Sequence, residues 1–457
     1  MLFLAALKPQ MMRENYVDGT HRIMWRIVCR NRHWWVIVGC LMQSFFLTGC
    51  DVLPSQTTSE SETSFSDRTV TEDLANPLAN PSVDPSVDSA LVTRDTSLEY
   101  QVLKQASGLI KFSHRNFVAD VVQLRDQSQR FCLSPGKASF TQTRMRWARA
   151  MNTWSAIKTI NFGPIDELSL SDRFQFWPDP MNQVEQGFRS RISGQNTALD
   201  APSLAEEESA IQGLSALEYL LFDPHVGSLE HYHNQPHLCP LLQNTVHNLL
   251  VSSDRLNRAW QGEYVRRWLF MEQETLQRAE MRYHLEQMVS GVVMTLADIS
   301  QQQLAEPLAL TGQDPLGRLL VKAGLRELKP QHLESWRSQT SLNHIASSLQ
   351  FTRKLYEMKH GLGWYLRTLK LDEAASQPSQ LKRLELDQVI RDQFKRIDAQ
   401  VSAIHSSAFD LISRNDTEQL ESLYHEVVML HHQFGVQYVQ LAGFNPTPKP
   451  ELSVRID

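Results

Sequence analysis

The 457-residue sequence predicts an all-α protein, and three observations carry that reading. Apolar residues recur at spacings of three and four through 98–130, 137–160 and the long segments beyond 238. No run shows the convincing alternation of a half-buried strand. Finally, Gly213-Leu-Ser-Ala-Leu-Glu-Tyr-Leu-Leu-Phe222 is apolar on almost every side. A helix of that pattern has no solvent face to offer and belongs at a junction between two helical bundles. Leu214, Leu217 and Leu221 form one stripe on it, with Ile211, Ser215, Glu218 and Phe222 beside them. A buried hydroxyl and a buried carboxylate one turn apart need partners. Either Glu218 pairs with an arginine across the core while Ser215 bonds back to its own helix, or the two belong to a ligand or metal site.

The chain in order begins with an address. Arg22, Arg26, Arg30 and Arg32 precede the apolar run 34–46 and then Leu47-Thr-Gly-Cys50. That run is too short for a comfortable membrane span and reads as an export signal, with residues 1–21 an upstream extension and Met24 an alternative start. The tetrapeptide resembles the bacterial lipobox, which implies cleavage before Cys50 and lipidation there, hence a partner in the membrane itself. Several acyl chains on one cysteine hold a protein to a bilayer stably, whereas one chain binds marginally. Asp51 resembles the inner-membrane retention signal of enteric-type lipoproteins, with the outer membrane as the alternative. Once Cys29 and Cys40 leave with the signal and Cys50 is acylated, Cys132 and Cys239 remain, and a disulfide between them is expected in an oxidising compartment. Two buried thiols that never meet are the alternative.

Residues 51–95 are rich in Ser, Thr, Pro and Asp and read as a flexible tether that cannot bury a core. A first helix follows over 98–130, then a Pro135-Gly136 break and a second helix over 137–160, stopped by Phe162-Gly-Pro164. On the second, Arg144, Trp147, Met151 and Trp154 make one stripe, which places Arg144 as a candidate partner of Glu218. The aromatic stretch 172–181 reads as a packed irregular connection, and 186–202 as a polar surface loop. Ser203 with Glu206 or Glu207 looks like a helix start, so the central helix is expected from about 204 to Asp223-Pro224. His225, His231, His233 and His237 crowd the next loop, at a spacing that fits no ligand motif and suits surface histidines. Further helices are expected over 238–270, 273–300, 340–358, 379–413 and 416–441, the third of them opened by Glu334-Ser-Trp-Arg-Ser338. A net charge of −6 without a basic stripe gives no reason to expect nucleic acid.

Arg144-x-x-Trp147, Phe162-Gly-Pro164, Phe176-Trp-Pro178, the 213–222 stretch, Glu334-Ser-Trp-Arg-Ser338 and Gly443-Phe-Asn445 occur here in the order in which imelysin-like proteins carry them, and together they resemble that family over about 98–446. The resemblance implies two four-helix bundles facing each other across a groove, a domain at 96–446 with a short tail at 447–457, export, and an association with iron uptake through envelope metal-uptake partners. Founding members of the family were described as metallopeptidases. The family's proposed metal motif, Gly-x-His-x-x-Glu, falls on Gly213, Ser215 and Glu218, so serine stands where the family places histidine. A hydroxyl is a poor substitute for imidazole on zinc or iron, and no His-Glu-x-x-His helix exists in the chain to supply a hydrolytic centre.

Taken together, these readings lead to a membrane-tethered periplasmic lipoprotein that binds a ligand in iron or other metal acquisition without catalysis of its own. The alternatives are a metal-dependent peptidase, or an envelope interaction protein whose groove receives another protein. Glu218, Ser215, Arg144 and Arg337 are expected to meet in one pocket lined by Trp147 and Trp336, with Glu218 the residue to touch any iron or other divalent metal. Two arginines around one carboxylate would favour an anionic ligand or an anionic metal chelate over a bare cation. A closed Glu–Arg network that binds nothing is the competing arrangement.

Overall fold

The computed structural model describes residues 97–192, 204, 206–269, 274–310, 327–369 and 377–444, and among these every regular element is a helix. The export signal, Cys50, the 51–95 segment and Asn445 lie outside the described residues. The principal helices are α1 (Leu98–Leu133), α2 (Lys137–Ile157), α3 (Gly213–Phe222), α4 (Leu238–Gln261), α5 (Glu274–Asp298), α6 (Ser341–Glu357), α7 (Gln377–Ala403) and α8 (Glu418–His432).

Ser97 starts α1 by accepting the Tyr100 N–H, which satisfies one of the free donors of the first turn. The helix then buries Val102, Leu103, Ala106, Ile110, Phe117, Val121 and Leu124, a stripe at helical spacing that faces α2 and α4. On α2 the stripe that reaches the core is Phe140, Trp147, Met151 and Trp154. These helices, with α3 against α2 and α4, form one group; a second is built on α7 packed against α8, with α5 packing both on α8 and on α1. Helix α6 touches both, packing on α2 and on α7.

Several segments depart from the expected bounds, and each departure has a local cause. The central helix opens at Gly213 rather than near 204, because Gly213 sits at φ +68° and turns the chain out of the short 3-10 turn Ser209–Ile211. Part of the expected polar loop is a helix, Gln183–Ile192, which buries Val184 and Phe188. The Asp179 carboxylate caps that helix by accepting the Gln183 and Val184 N–H groups at 2.6 and 3.0 Å. Glu334–Ser338 does not begin α6: Ser335 and Gln339 lie at φ 55° and 60°, so the motif is a set of turns and the helix starts at Ser341. At its C-terminal end α5 widens into a π-helix, Ile299–Ala305, where Glu306 N–H donates to Gln301 O.

Candidate functional site

Glu218 is fixed from two directions. Its own helix is held close to the preceding chain because Gly213 has no Cβ; one added there would come within 2.3 Å of the Arg173 carbonyl. From the far side, the turns of 334–338 bring the Ser338 N–H to 2.8 Å from Glu218 Oε1, a backbone donor that a continuous helix would have used internally. The carboxylate is 5 % exposed, and burial pushes its pKa up to about 7. The Ser338 hydrogen bonds and the Arg337 charge pull the other way without overcoming that effect, and Glu334 adds to the rise.

Glu218 and Ser215 line a cavity of about 430 Å³ walled by the aromatic connection Phe176–Pro178, the Trp336-Arg337 turn and Gln302 of the π-helix. Its size is that of a small-molecule site. Trp336 and Arg337 lie on its wall, with the guanidinium 4.5 Å from the centre of the Trp336 ring and Phe409 stacked on that ring at 6.1 Å. Arg337 is spent on other partners: Nε donates to Asp223 Oδ2 at 2.8 Å and Nη2 to Asn182 Oδ1 at 3.0 Å. His225, read as a surface histidine, also lines the cavity. Three histidines of the same stretch are engaged locally: His231 with the Ser228 hydroxyl, His233 with Pro135 O and His237 with Ile192 O.

Arg144 and Trp147 are placed elsewhere than expected. Arg144 donates to the carbonyls of Leu221 and Gly227 at 2.8 and 2.6 Å and lies over the Phe140 and Phe222 rings, so it closes the C-terminal end of α3 instead of pairing with Glu218. The reason lies in the unsatisfied carbonyls at a helix end, which draw a cation. Trp147 is wholly buried, its indole N–H donating to Leu214 O at 3.0 Å, and it is a core residue. With one arginine present and committed to Asp223, the expected positive pocket does not form. Five carboxylates, of Asp179, Glu185, Glu218, Asp223 and Glu306, stand on the cavity wall with Arg337. The wall therefore lacks the positive excess on which the expected preference for an anion depended.

A buried ionic network that the sequence did not reveal lies behind Glu218. Lys158 Nζ donates to Glu334 Oε1 at 2.7 Å and stands 3.7 Å from Asp298. Gln175 Nε2 donates to the same Glu334 oxygen at 2.5 Å, while Gln175 Oε1 accepts from the Trp154 indole. Burial raises the pKa of Glu334, but the Lys158 ammonium and the hydrogen bonds from Lys158 and Gln175 bring it below the ordinary carboxylate value. Burial likewise lowers Lys158, and Glu334 and Asp298 more than restore it. His344, 3.8 Å from Glu334, is held neutral by burial with its pKa at about 4. Lys158 follows the last residue of α2, where a lysine ordinarily reads as a solvated helix end; the signal that marked this region was the Glu334 motif.

Cys132 and Cys239 are joined in a disulfide, as expected from the cysteine count. No group of three or more His, Cys, Asp or Glu side chains is placed to hold a metal ion among the described residues. A hydrolytic zinc keeps three protein ligands and an open position, and Glu218 with the Ser215 hydroxyl does not meet that requirement. The motif positions therefore do not fit a bare transition metal. Among the described residues no helix is long and apolar enough to cross a membrane.

The chain is similar in structure to an imelysin-like protein from Psychrobacter arcticus 273-4, at a TM-score of 0.60 and 17 % identity, over 78 % of this chain and 99 % of that one. It also matches a candidate iron-regulated protein A precursor from Parabacteroides distasonis ATCC 8503, at a TM-score of 0.48 and 17 % identity, over 76 % and 96 % of the two chains. No match is found among curated protein sequences. The family model described as Imelysin matches residues 111–434, which take in α3, the cavity and the Glu334 turns. The chain belongs to the imelysin family.

Proposed function

We propose that this protein is a lipid-anchored envelope lipoprotein whose Glu218 cavity binds a ligand in the acquisition of iron or another metal, without catalysis of its own. The observation that carries the reading is a carboxylate, almost fully buried, that faces a cavity of ligand size and receives one backbone N–H instead of the closed arginine network that a purely structural role would use. The anchor rests on the Leu47-Thr-Gly-Cys50 signal, and the link to metal on the family and on the name of one similar structure. Because the donor set does not suit a bare metal, the ligand would carry its metal already coordinated, or the protein would act beside the component that does.

Two measurements test the proposal. In cell fractionation, the wild-type chain is expected with the membranes and Cys50→Ser in the soluble fraction; equal partition of the two rejects lipidation at Cys50. In a deletion strain grown under metal limitation, uptake of radiolabelled iron or zinc is expected to fall, to return with the wild-type chain and not with Glu218→Ala. Uptake unaffected by the deletion would remove the metal role.

A further inference from the structure

We infer that the group recognised in this cavity is an organic cation, an ammonium that pairs with Glu218 while its hydrocarbon body lies along Trp177. The inference rests on the reading of the cavity as a ligand site and adds the chemical class of the ligand.

The charges on the wall decide the sign. Three of the five carboxylates have a cation in contact, and a fourth is capped by two backbone donors. Asp179 accepts two backbone N–H groups, Asp223 takes Arg337, Glu306 takes Lys329 at 2.9 Å, and Glu185 pairs with Arg189 and Asn182. Glu218 accepts the Ser338 N–H and has no cation in ion-pair contact among the described residues. Arg337, the cation that acts on it, donates to Asp223 and Asn182. An ionised Glu218 therefore lacks a counter-ion that the protein supplies in contact, and a positive ligand group would complete it. An anion brought here would meet the Glu218 carboxylate, and a bare metal would find too few donors.

The wall also favours an organic cation over an inorganic one. Trp336 is already in contact with the Arg337 guanidinium and stacked with Phe409. Trp177, half-buried on the same cavity, stacks on no ring or guanidinium among the described residues, so an indole face is available to an alkyl or aryl ammonium. A buried carboxylate and an indole on the wall of one cavity are the two groups that an alkyl or aryl ammonium calls for.

The test uses the full-length chain in detergent and three probes of one shape and different charge: benzylammonium, benzyl alcohol and benzoate. Calorimetric titration is expected to show benzylammonium binding at least tenfold more tightly than benzyl alcohol, with benzoate weaker than either. Glu218→Gln is expected to erase the preference for charge, and Trp177→Ala to weaken the ammonium and the alcohol alike. Circular dichroism establishes that each variant is folded, and Trp177→Ala serves as the second variant if Glu218→Gln is not. Benzoate or ferric citrate binding as tightly as benzylammonium overturns the inference, as does an ammonium affinity unchanged in Glu218→Gln or no ammonium binding at millimolar concentration. If ferric citrate or a zinc salt binds in a Glu218-dependent way while benzylammonium does not, the cavity stands as a ligand site and the ligand class alone falls. If none of these probes binds, the ligand-site reading falls with it.

Discussion

At neutral pH Glu218 sits near the midpoint of its titration, and its ionisation is opposed by the fold. Its ordinary value of 4.5 is raised to about 7 by burial, against the Ser338 and Arg337 contributions and with Glu334. The native state therefore keeps a proton that the unfolded chain has lost between those two values. The stabilisation this residue contributes is fully present below about pH 4.5 and is lost as the pH rises through 7, a change of about 3 kcal/mol at ~1.4 kcal/mol per pH decade. Glu218→Gln, which keeps an acceptor for Ser338 and cannot ionise, is expected to be more stable than wild type at pH 8 by about 1–3 kcal/mol and nearly equal to it at pH 5. Urea unfolding at the two pH values checks this; parallel losses in both proteins would remove the argument. The opposite sign holds one shell behind. Glu334 is buried beside a buried ammonium, and Glu334→Ala leaves Lys158 with Asp298 at 3.7 Å as its carboxylate partner. Removing one partner of a buried pair costs about 3–5 kcal/mol, most of it from the charge left behind. The unfolding midpoint of Glu334→Ala at pH 7 should fall accordingly, and a shift within about 0.5 kcal/mol would show that Lys158 is not held by this pair.

At the scale of the element, the position of α3 depends on a glycine and on a neighbour that is not a helix. Gly213→Ala would pay for a left-handed backbone, ~1–2 kcal/mol, and would force its methyl onto the Arg173 and Phe174 carbonyls. A loss of more than about 2 kcal/mol is expected. Gly108, inside α1 with nothing within 4 Å of an added Cβ, is the control: Gly108→Ala should gain about 0.5–1 kcal/mol. Thermal unfolding of the two variants should move in opposite directions, and movement in the same direction would contradict the account. The same two positions show what could be read from the chain alone. The burial of α3 was legible because ten residues carry two polar side chains between them, so any helix they form has no wet face. Its start was not legible, because Ser203 and the following glutamates satisfy the rules for a helix start and the backbone angle of Gly213 leaves no trace in composition. Glu334–Ser338 is a similar case. Its residue types fit a helix, and the positive φ at Ser335, which frees the Ser338 N–H for Glu218, is a tertiary outcome. Arg144 was expected at Glu218 and instead meets the carbonyls of Leu221, in the last turn of α3, and of Gly227 just beyond it, since sequence spacing cannot choose between a carboxylate and a helix end on the same helix.

For the whole molecule, the bond between Cys132 and Cys239 encloses much of the candidate site in one covalent loop. The two cysteines are 107 residues apart, at the end of α1 and the start of α4. Between them lie α2 with Lys158 beyond its end, the Phe176–Pro178 wall and α3 with Glu218. The Glu334 turns come from outside that loop. Closing a loop of this length removes about 4–5 kcal/mol of freedom from the unfolded chain by the entropy model, and measured disulfides deliver about 2–4 kcal/mol. Reduction is therefore expected to lower stability by about 2–4 kcal/mol, and Cys132→Ala with Cys239→Ala should match the reduced wild type. The direction of the effect also bears on the site. A cross-link that acts mainly on the unfolded state leaves native contacts in place, so reduced protein below its lower melting temperature should bind benzylammonium with the affinity of the oxidised protein. Thermal scans with and without dithiothreitol, followed by titration at 20 °C, measure both. An unchanged melting temperature would remove the bond from the account of stability. A large loss of affinity at 20 °C would instead show that the bond shapes the cavity in the folded state.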